Sequence, residues 1–130
     1  GSPSFEAVLD VANRLDSPWL LIDTYNKSRG RLLSHLDRPQ LDQWIALAQA
    51  NRLKVSLAGS LRIDELPFLA KLGADILAVR SAACIDGVRT ESLCEKRLAI
   101  LASMNLDSQS PELRETNSRH SPPTLQMELA

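Results

Sequence analysis

The sequence predicts an α/β fold with about three parallel strands alternating with helices, and two observations predict it. Three apolar runs, Trp19 to Tyr25, Leu53 to Ala58 and Ala74 to Val79, have the length and composition of buried strands. Each is followed by a short polar turn and then by a stretch with apolar residues at helical spacing. Strands separated by helices connect through right-handed crossovers and pair in parallel. Three such strands leave edges and a sheet face unmatched. The expectation is therefore a segment of a barrel or larger sheet, completed by further chain or by self-association.

The elements follow in order. Phe5, Val8, Leu9, Ala12 and Leu15 share one helical face, and Asp16-Ser17-Pro18 breaks that helix before the first strand. After Lys27, Ser28 to Arg31 reads as loop, and Leu32, Leu33 and Leu36 as one short apolar turn. Asp37 as N-cap and Pro39 in the first turn open a second helix, with Leu41, Trp44, Ile45, Leu47 and Ala48 as its buried stripe. A third helix is predicted from Ile63 to Leu72, with Asp64 and Glu65 suited to its dipole and Gly73 as a left-handed cap. A last helix spans Thr90 to Met104 on Leu93, Leu98, Ile100 and Leu101, and Trp19, Trp44 and Phe68 are read as core. Beyond it the chain turns rich in Ser, Pro, Glu and Arg. The folded domain is accordingly placed at residues 1–104, and residues 105–130 are expected to form a disordered tail.

Composition narrows the function classes. The chain of 130 residues is 44% hydrophobic and 24% charged, enough for one core. Its longest uncharged apolar stretches are strand-sized, far short of the roughly 20 residues that cross a bilayer. A net charge of −1 supplies no global field for nucleic acid or an anionic membrane, so any affinity for phosphate must be local. Cys84 and Cys94, with no signal peptide visible, are expected to be reduced thiols in a cytoplasmic protein. His35 and His120 stand alone and no cysteine or histidine pair has ligand spacing, which argues against a metal. The opening Gly1-Ser2-Pro3, without an initiating Met, is expected to be an appended scar or the cut end of a longer chain.

Polar groups at the C-terminal ends of parallel strands are where α/β enzymes keep their sites. Asp23 and Lys27 follow the first strand, and there a lysine can hold developing negative charge while a carboxylate orients it or moves a proton. A structural ion pair at the rim explains the same two residues. Gly59-Ser60 after the second strand offers backbone N–H groups and a hydroxyl, and Arg80-Ser81-Ala82 after the third offers a second set with a guanidinium. Cys84 in a small-residue loop is read as packing, and His35 as a packed or partly exposed residue.

One series of residues carries a family resemblance: Asp23-Thr24 with Lys27, Leu33-Ser-His-Leu36, Lys54-Val-Ser-Leu-Ala-Gly-Ser-Leu61, Leu72-Gly-Ala-Asp-Ile76, Val79-Arg80 and Ala82-Ala-Cys84. From about Phe5 to Leu101 the chain resembles the C-terminal part of the (5-formylfuran-3-yl)methyl phosphate synthases of methanofuran biosynthesis. The resemblance implies the C-terminal part of a (β/α)8 TIM barrel, strands six to eight. It implies a lyase that condenses two molecules of glyceraldehyde 3-phosphate into a furan aldehyde phosphate through a lysine Schiff base. The family's Schiff-base lysine and a second active-site lysine belong to its N-terminal half, so this stretch alone is expected to be inactive. The family's catalytic Asp and Lys fall on Asp23 and Lys27, and its phosphate cradle on Gly59, Ser60, Arg80, Ser81 and Ala82. No metal or organic cofactor is implied, and the expected partners are a small phosphorylated substrate and either the missing half or a second copy. Ser81 stands where the family usually has glycine, and Ser28-Arg29-Gly30 where relatives tend to be acidic then glycine. Two other readings are a non-catalytic phosphate-binding relative or scaffold and a different aldolase-like phosphate-binding barrel.

Overall fold

The computed structural model describes residues 2–24, 27–104, 106 and 124–127. Helix α1 (Phe5–Arg14) starts where the Ser4 hydroxyl accepts the Ala7 N–H at 3.2 Å. It buries Phe5, Leu9 and Ala12, and Phe5 stacks on Trp44 with ring centroids 4.5 Å apart. Strand β1 (Trp19–Ile22) follows, then a 3-10 turn at Lys27–Arg29 and the single-turn helix α2 (Leu32–His35). Helix α3 (Arg38–Ala50) is capped as its sequence predicts, by Asp37 accepting the Gln40 N–H at 2.9 Å.

Strand β2 (Lys54–Leu57) leads to a 3-10 turn at Ile63–Glu65 and helix α4 (Leu66–Lys71). The regular helix starts later than Ile63 because Pro67 has no N–H to return to the Ile63 carbonyl. The first turn is closed instead by the shorter bond from Leu66 N–H to that oxygen. Gly73, at φ +87°, ends α4 as expected, and strand β3 (Ile76–Val79) begins three residues on. Two 3-10 turns, Ser81–Ala83 and Ile85–Gly87, precede helix α5 (Glu95–Ser103). α5 starts five residues after the expected Thr90, because Ile85 N–H bonds Ser92 and Cys94 N–H bonds Ala83 across a small antiparallel bridge. Leu93 lies in that bridge, 41% exposed, and only Leu101 of the predicted stripe is fully buried.

The sheet is parallel with order β1-β2-β3-β4, where β4 is Thr124–Met127. These four residues lie inside the stretch expected to be a disordered tail; most of the rest of that stretch lies outside the described residues. β3 has an outer edge of N–H and C=O groups, and a parallel strand satisfies them. The register sets Leu125 against Leu77 and Met127 against Val79. No helix among the described residues is long and apolar enough to cross a membrane.

Leu20, Ile22, Val55, Leu57, Leu77 and Val79 point to one face, where α3 and α4 bring Leu41, Ile45, Leu66 and Leu69 into a single core. The opposite face is open among the described residues, as the unmatched face of three strands predicts, with Leu21 61% exposed. Trp19 belongs to this open face and not to the core: β1 pairs it with Lys54, whose ammonium sits 5.3 Å from the indole centroid. Trp44 and Phe68 are half-buried against the core, and the Arg38 guanidinium lies 3.6 Å above the Phe68 ring.

The β2 and β3 chains are clipped together by Asp75. Its N–H donates to the Val55 carbonyl at 2.9 Å, and its carboxylate accepts the Val55 N–H at 2.8 Å. The bond is half-buried, so removal of that carboxylate takes the Val55 N–H's partner away where water only partly replaces it. Asp75→Ala is expected to lower stability by about 1–3 kcal/mol, read as a drop in the urea midpoint at unchanged slope.

Candidate functional site at the strand C-termini

The C-terminal ends of β1, β2 and β3 lie side by side, and the loops that leave them carry every residue singled out from the sequence. At the end of β1, Asp23 is exposed and its Oδ1 accepts the Thr24 N–H at 2.7 Å. Thr24 is 7% exposed and its hydroxyl has no hydrogen-bond partner among the described residues. Lys27 opens the 3-10 turn four residues after Asp23.

At the end of β2, Gly59 and Ser60 both take positive φ, +117° and +54°. A serine in the left-handed region is uncommon and stores strain of order 1 kcal/mol. Gly59 is buried against the end of β1: a Cβ there would sit 3.0 Å from the Thr24 hydroxyl oxygen and 3.2 Å from the Leu32 Cβ. The Gly59 carbonyl also accepts the Leu32 N–H at 2.9 Å, which ties the loop after β1 to the loop after β2.

At the end of β3, Arg80 leads into the Ser81–Ala83 turn. The turn's own hydrogen bonds use the N–H groups of Ala83 and Cys84, at 2.9 and 3.1 Å, so those of Ser81 and Ala82 are not spent on it. Ser81 is not among the positive-φ residues, so its Cβ is accommodated without backbone strain. Cys84 is buried with its Sγ 3.3 Å from the Arg80 carbonyl oxygen, in line with the packing role read from its small neighbours. His35 is exposed.

Gly59, Ser60, Arg80 and Ser81 share one narrow cavity of about 20 Å³ between the ends of β2 and β3. It opens beside a wide cleft of about 840 Å³ that Ser60, Ser81 and Ala82 also line. Asp23 does not share that cavity. With Thr24, Arg29, His35 and Trp44 it borders a separate hollow of about 380 Å³ on the other side of the Thr24–Gly59 contact. The side chain of Lys27 lies outside the described residues.

The charges around the wide cleft divide into committed and uncommitted groups. Arg31 donates to Glu65 at 2.9 Å, and Arg62 to Asp64 at the same distance. The Arg62–Asp64 hydrogen bond raises the guanidinium above its ordinary range and lowers the carboxyl below its own. Arg97 donates to the Ala82 carbonyl at 3.4 Å. The guanidinium groups of Arg80 and Arg89 have no ion pair or hydrogen bond among the described residues, and both residues line the narrow cavity. The reading of the sequence missed Arg89. Its signal is an Asp-Gly-x-Arg stretch in the loop after the third strand, which lacks the immediate strand-end position that marked Arg80.

A family model described as 4-HFC-P synthase matches residues 1–102. A (5-formylfuran-3-yl)methyl phosphate synthase of Methanococcus aeolicus is 40% identical over 78 residues, which is 60% of this chain and 33% of that protein. The protein of that name from Methanopyrus kandleri is 35% identical over 98 residues, 75% of this chain and 41% of its own length. A Methanococcus maripaludis relative of the same name is 36% identical over 78 residues, 60% of this chain and 33% of its own. The chain thus spans between a third and about two-fifths of the curated relatives it matches. With the match running through all three strand-end loops, the chain belongs to the 4-HFC-P synthase family.

Proposed function

We propose that this chain supplies the phosphate grip and the supporting acid–base groups of a lyase that condenses two molecules of glyceraldehyde 3-phosphate into a furan aldehyde phosphate. The observation that carries the reading is the narrow cavity between the ends of β2 and β3. It brings Gly59, Ser60, Arg80 and Ser81 to one lining, residues that carry two hydroxyls, a glycine backbone and a guanidinium. Hydroxyls, backbone N–H groups and a guanidinium are the donors that a phosphate monoester needs.

In this reading Gly59, Ser60, Arg80, Ser81 and Ala82 hold the substrate phosphate, with Ala82 contributing its backbone. Lys27 steadies the charge that builds on the enolic carbon framework, and Asp23 orients it or relays a proton. The imine-forming lysine and a second active-site lysine come from the length of relative that this chain does not span, so the chain alone is inactive. The exposed face of β1 and β2, with Trp19 and Leu21, is the surface that this remaining part or a second copy covers to complete a barrel. Chemistry through a lysine imine uses the protonated imine as electron sink and calls for no further cofactor.

The test is intact mass after incubation with glyceraldehyde 3-phosphate and borohydride, which reduces a lysine imine to a stable secondary amine. The protein carrying the remaining length of its relatives is expected to gain one reduced triose phosphate, and this chain alone none. A folded longer protein that binds phosphate but forms no adduct would instead be a non-catalytic relative, a reading that Ser81 at the family's glycine position favours.

A further inference from the structure

We infer that Arg89 is the second guanidinium of the anion site that Arg80 begins, and that the pair selects a dianionic end group such as a phosphate monoester. This deepens the phosphate reading above and rests on it. Both arginines are half-buried and line the narrow cavity between the ends of β2 and β3, and no carboxylate lines it with them. The remaining lining residues are Ala58, Gly59, Ser60, Ala78, Val79 and Ser81, small or apolar and all uncharged. Two cations in such a place repel each other and lose hydration, a cost that a bound dianion offsets.

The other arginines of the neighbouring cleft are not in this position. Arg31 and Arg62 are held by Glu65 and Asp64, and Arg97 by the Ala82 carbonyl, so they cannot turn to a ligand without breaking a contact. Arg89 is alone in lining both spaces with its guanidinium uncommitted. The carboxylates on the cleft, Asp64 and Asp86, lie on its wide part and do not reach the narrow cavity's lining. An anionic head in the narrow cavity therefore meets Arg80 and Arg89, while the body of the ligand extends past Arg89 into the cleft.

The loop is built to put Arg89 there. Asp86 and Gly87 take consecutive positive φ values, +52° and +71°, and Val88 N–H closes back on the Ile85 carbonyl at 3.0 Å. This reversal returns the chain over the end of β3, and Glu91 N–H bonding the Val88 carbonyl at 3.0 Å holds the segment that carries Arg89. A left-handed Asp is strained, and strain of this kind persists where the surrounding structure fixes it.

The test is a titration of the chain with inorganic phosphate, followed by amide NMR shifts of Ser60 and Ser81. Arg89→Ala is expected to weaken phosphate binding about tenfold or more, as loss of a charge-assisted pair does. Arg89→Lys, which keeps the charge and stem, is expected to lose only part of the affinity, and Arg52→Ala, at an exposed turn elsewhere, none. Sulfate is expected to shift the same amides in the wild type, and acetate at matched ionic strength to leave them in place. If Ser60 and Ser81 respond to phosphate equally in wild type, Arg89→Ala and Arg89→Lys, Arg89 is not part of the site although the phosphate site stands. If those amides do not respond in the wild type, both readings fall. An acetate response equal to that of sulfate would overturn the selection of a dianion. Should Arg89→Ala fail to fold, the Arg89→Lys titration decides alone.

Discussion

Gly59→Ala is expected to cost about 2–6 kcal/mol of stability, a large share of the 5–15 kcal/mol typical of a domain. Two independent effects combine. The backbone at φ +117° is open to glycine and closed to L side chains, which costs about 1–3 kcal/mol. The added methyl would also stand 3.0 Å from the Thr24 Oγ1, 3.1 Å from its Cγ2 and 3.2 Å from the Leu32 Cβ. Neither Thr24 nor Leu32 has room to retreat, since they are 7% and 1% exposed, and overpacking of this kind costs about 1–3 kcal/mol. Urea denaturation checks the loss of stability, and a midpoint corresponding to less than 1 kcal/mol would show that the ends of β1 and β2 yield easily. The same substitution is expected to weaken phosphate binding, because Ser60 is the next residue and its left-handed turn is held by Gly59.

Asp23→Asn, made in the protein that carries the remaining length of its relatives, is expected to reduce turnover of triose phosphate by about 10²–10⁴-fold. The fold should survive, since the Asn side-chain oxygen can still accept the Thr24 N–H that Asp23 holds at 2.7 Å, and the site is exposed. What is lost is the negative charge and the capacity to take a proton. Asp23 borders a different hollow from Ser60 and Arg80, so inorganic phosphate should bind within about twofold of the parent affinity. Steady-state rates and a phosphate titration on the same sample separate the two roles. Turnover within threefold of the parent would remove Asp23 from the proton-transfer chemistry.

Local chemistry made much of this molecule readable in advance. Asp37 and Gly73 announce a cap at each end of a helix because their side-chain and backbone preferences act within one turn. The positions of Gly59-Ser60 and Arg80-Ser81 just past strand ends were legible for the same reason. Features that depend on distant chain were not. Trp19 was assigned to the core on its hydrophobicity, but the β1 register places it opposite Lys54 on the open face. The late start of α5 follows from a bridge between Cys84 and Leu93 that no helical spacing reveals. Arg89 reaches the site only through two left-handed residues, one of them an Asp whose turn-forming tendency says nothing about where the chain goes next. β4 holds only two apolar residues within a stretch rich in Ser, Pro, Glu and Arg, so composition gave no sign of a strand.

β4 has a consequence for the order in which the molecule assembles. The pairings of β1 with β2 and of β2 with β3 each span one strand–helix unit, whereas Ile76 meets Thr124 only after α5 and the chain beyond it have been made. Closing that longer loop has the larger entropic cost, and on a ribosome these residues emerge after the other three strands. β1, β2 and β3 with their helices are therefore made before β4 arrives. β4 then seals an edge that already exists, and during synthesis that edge stands exposed to any other strand within reach.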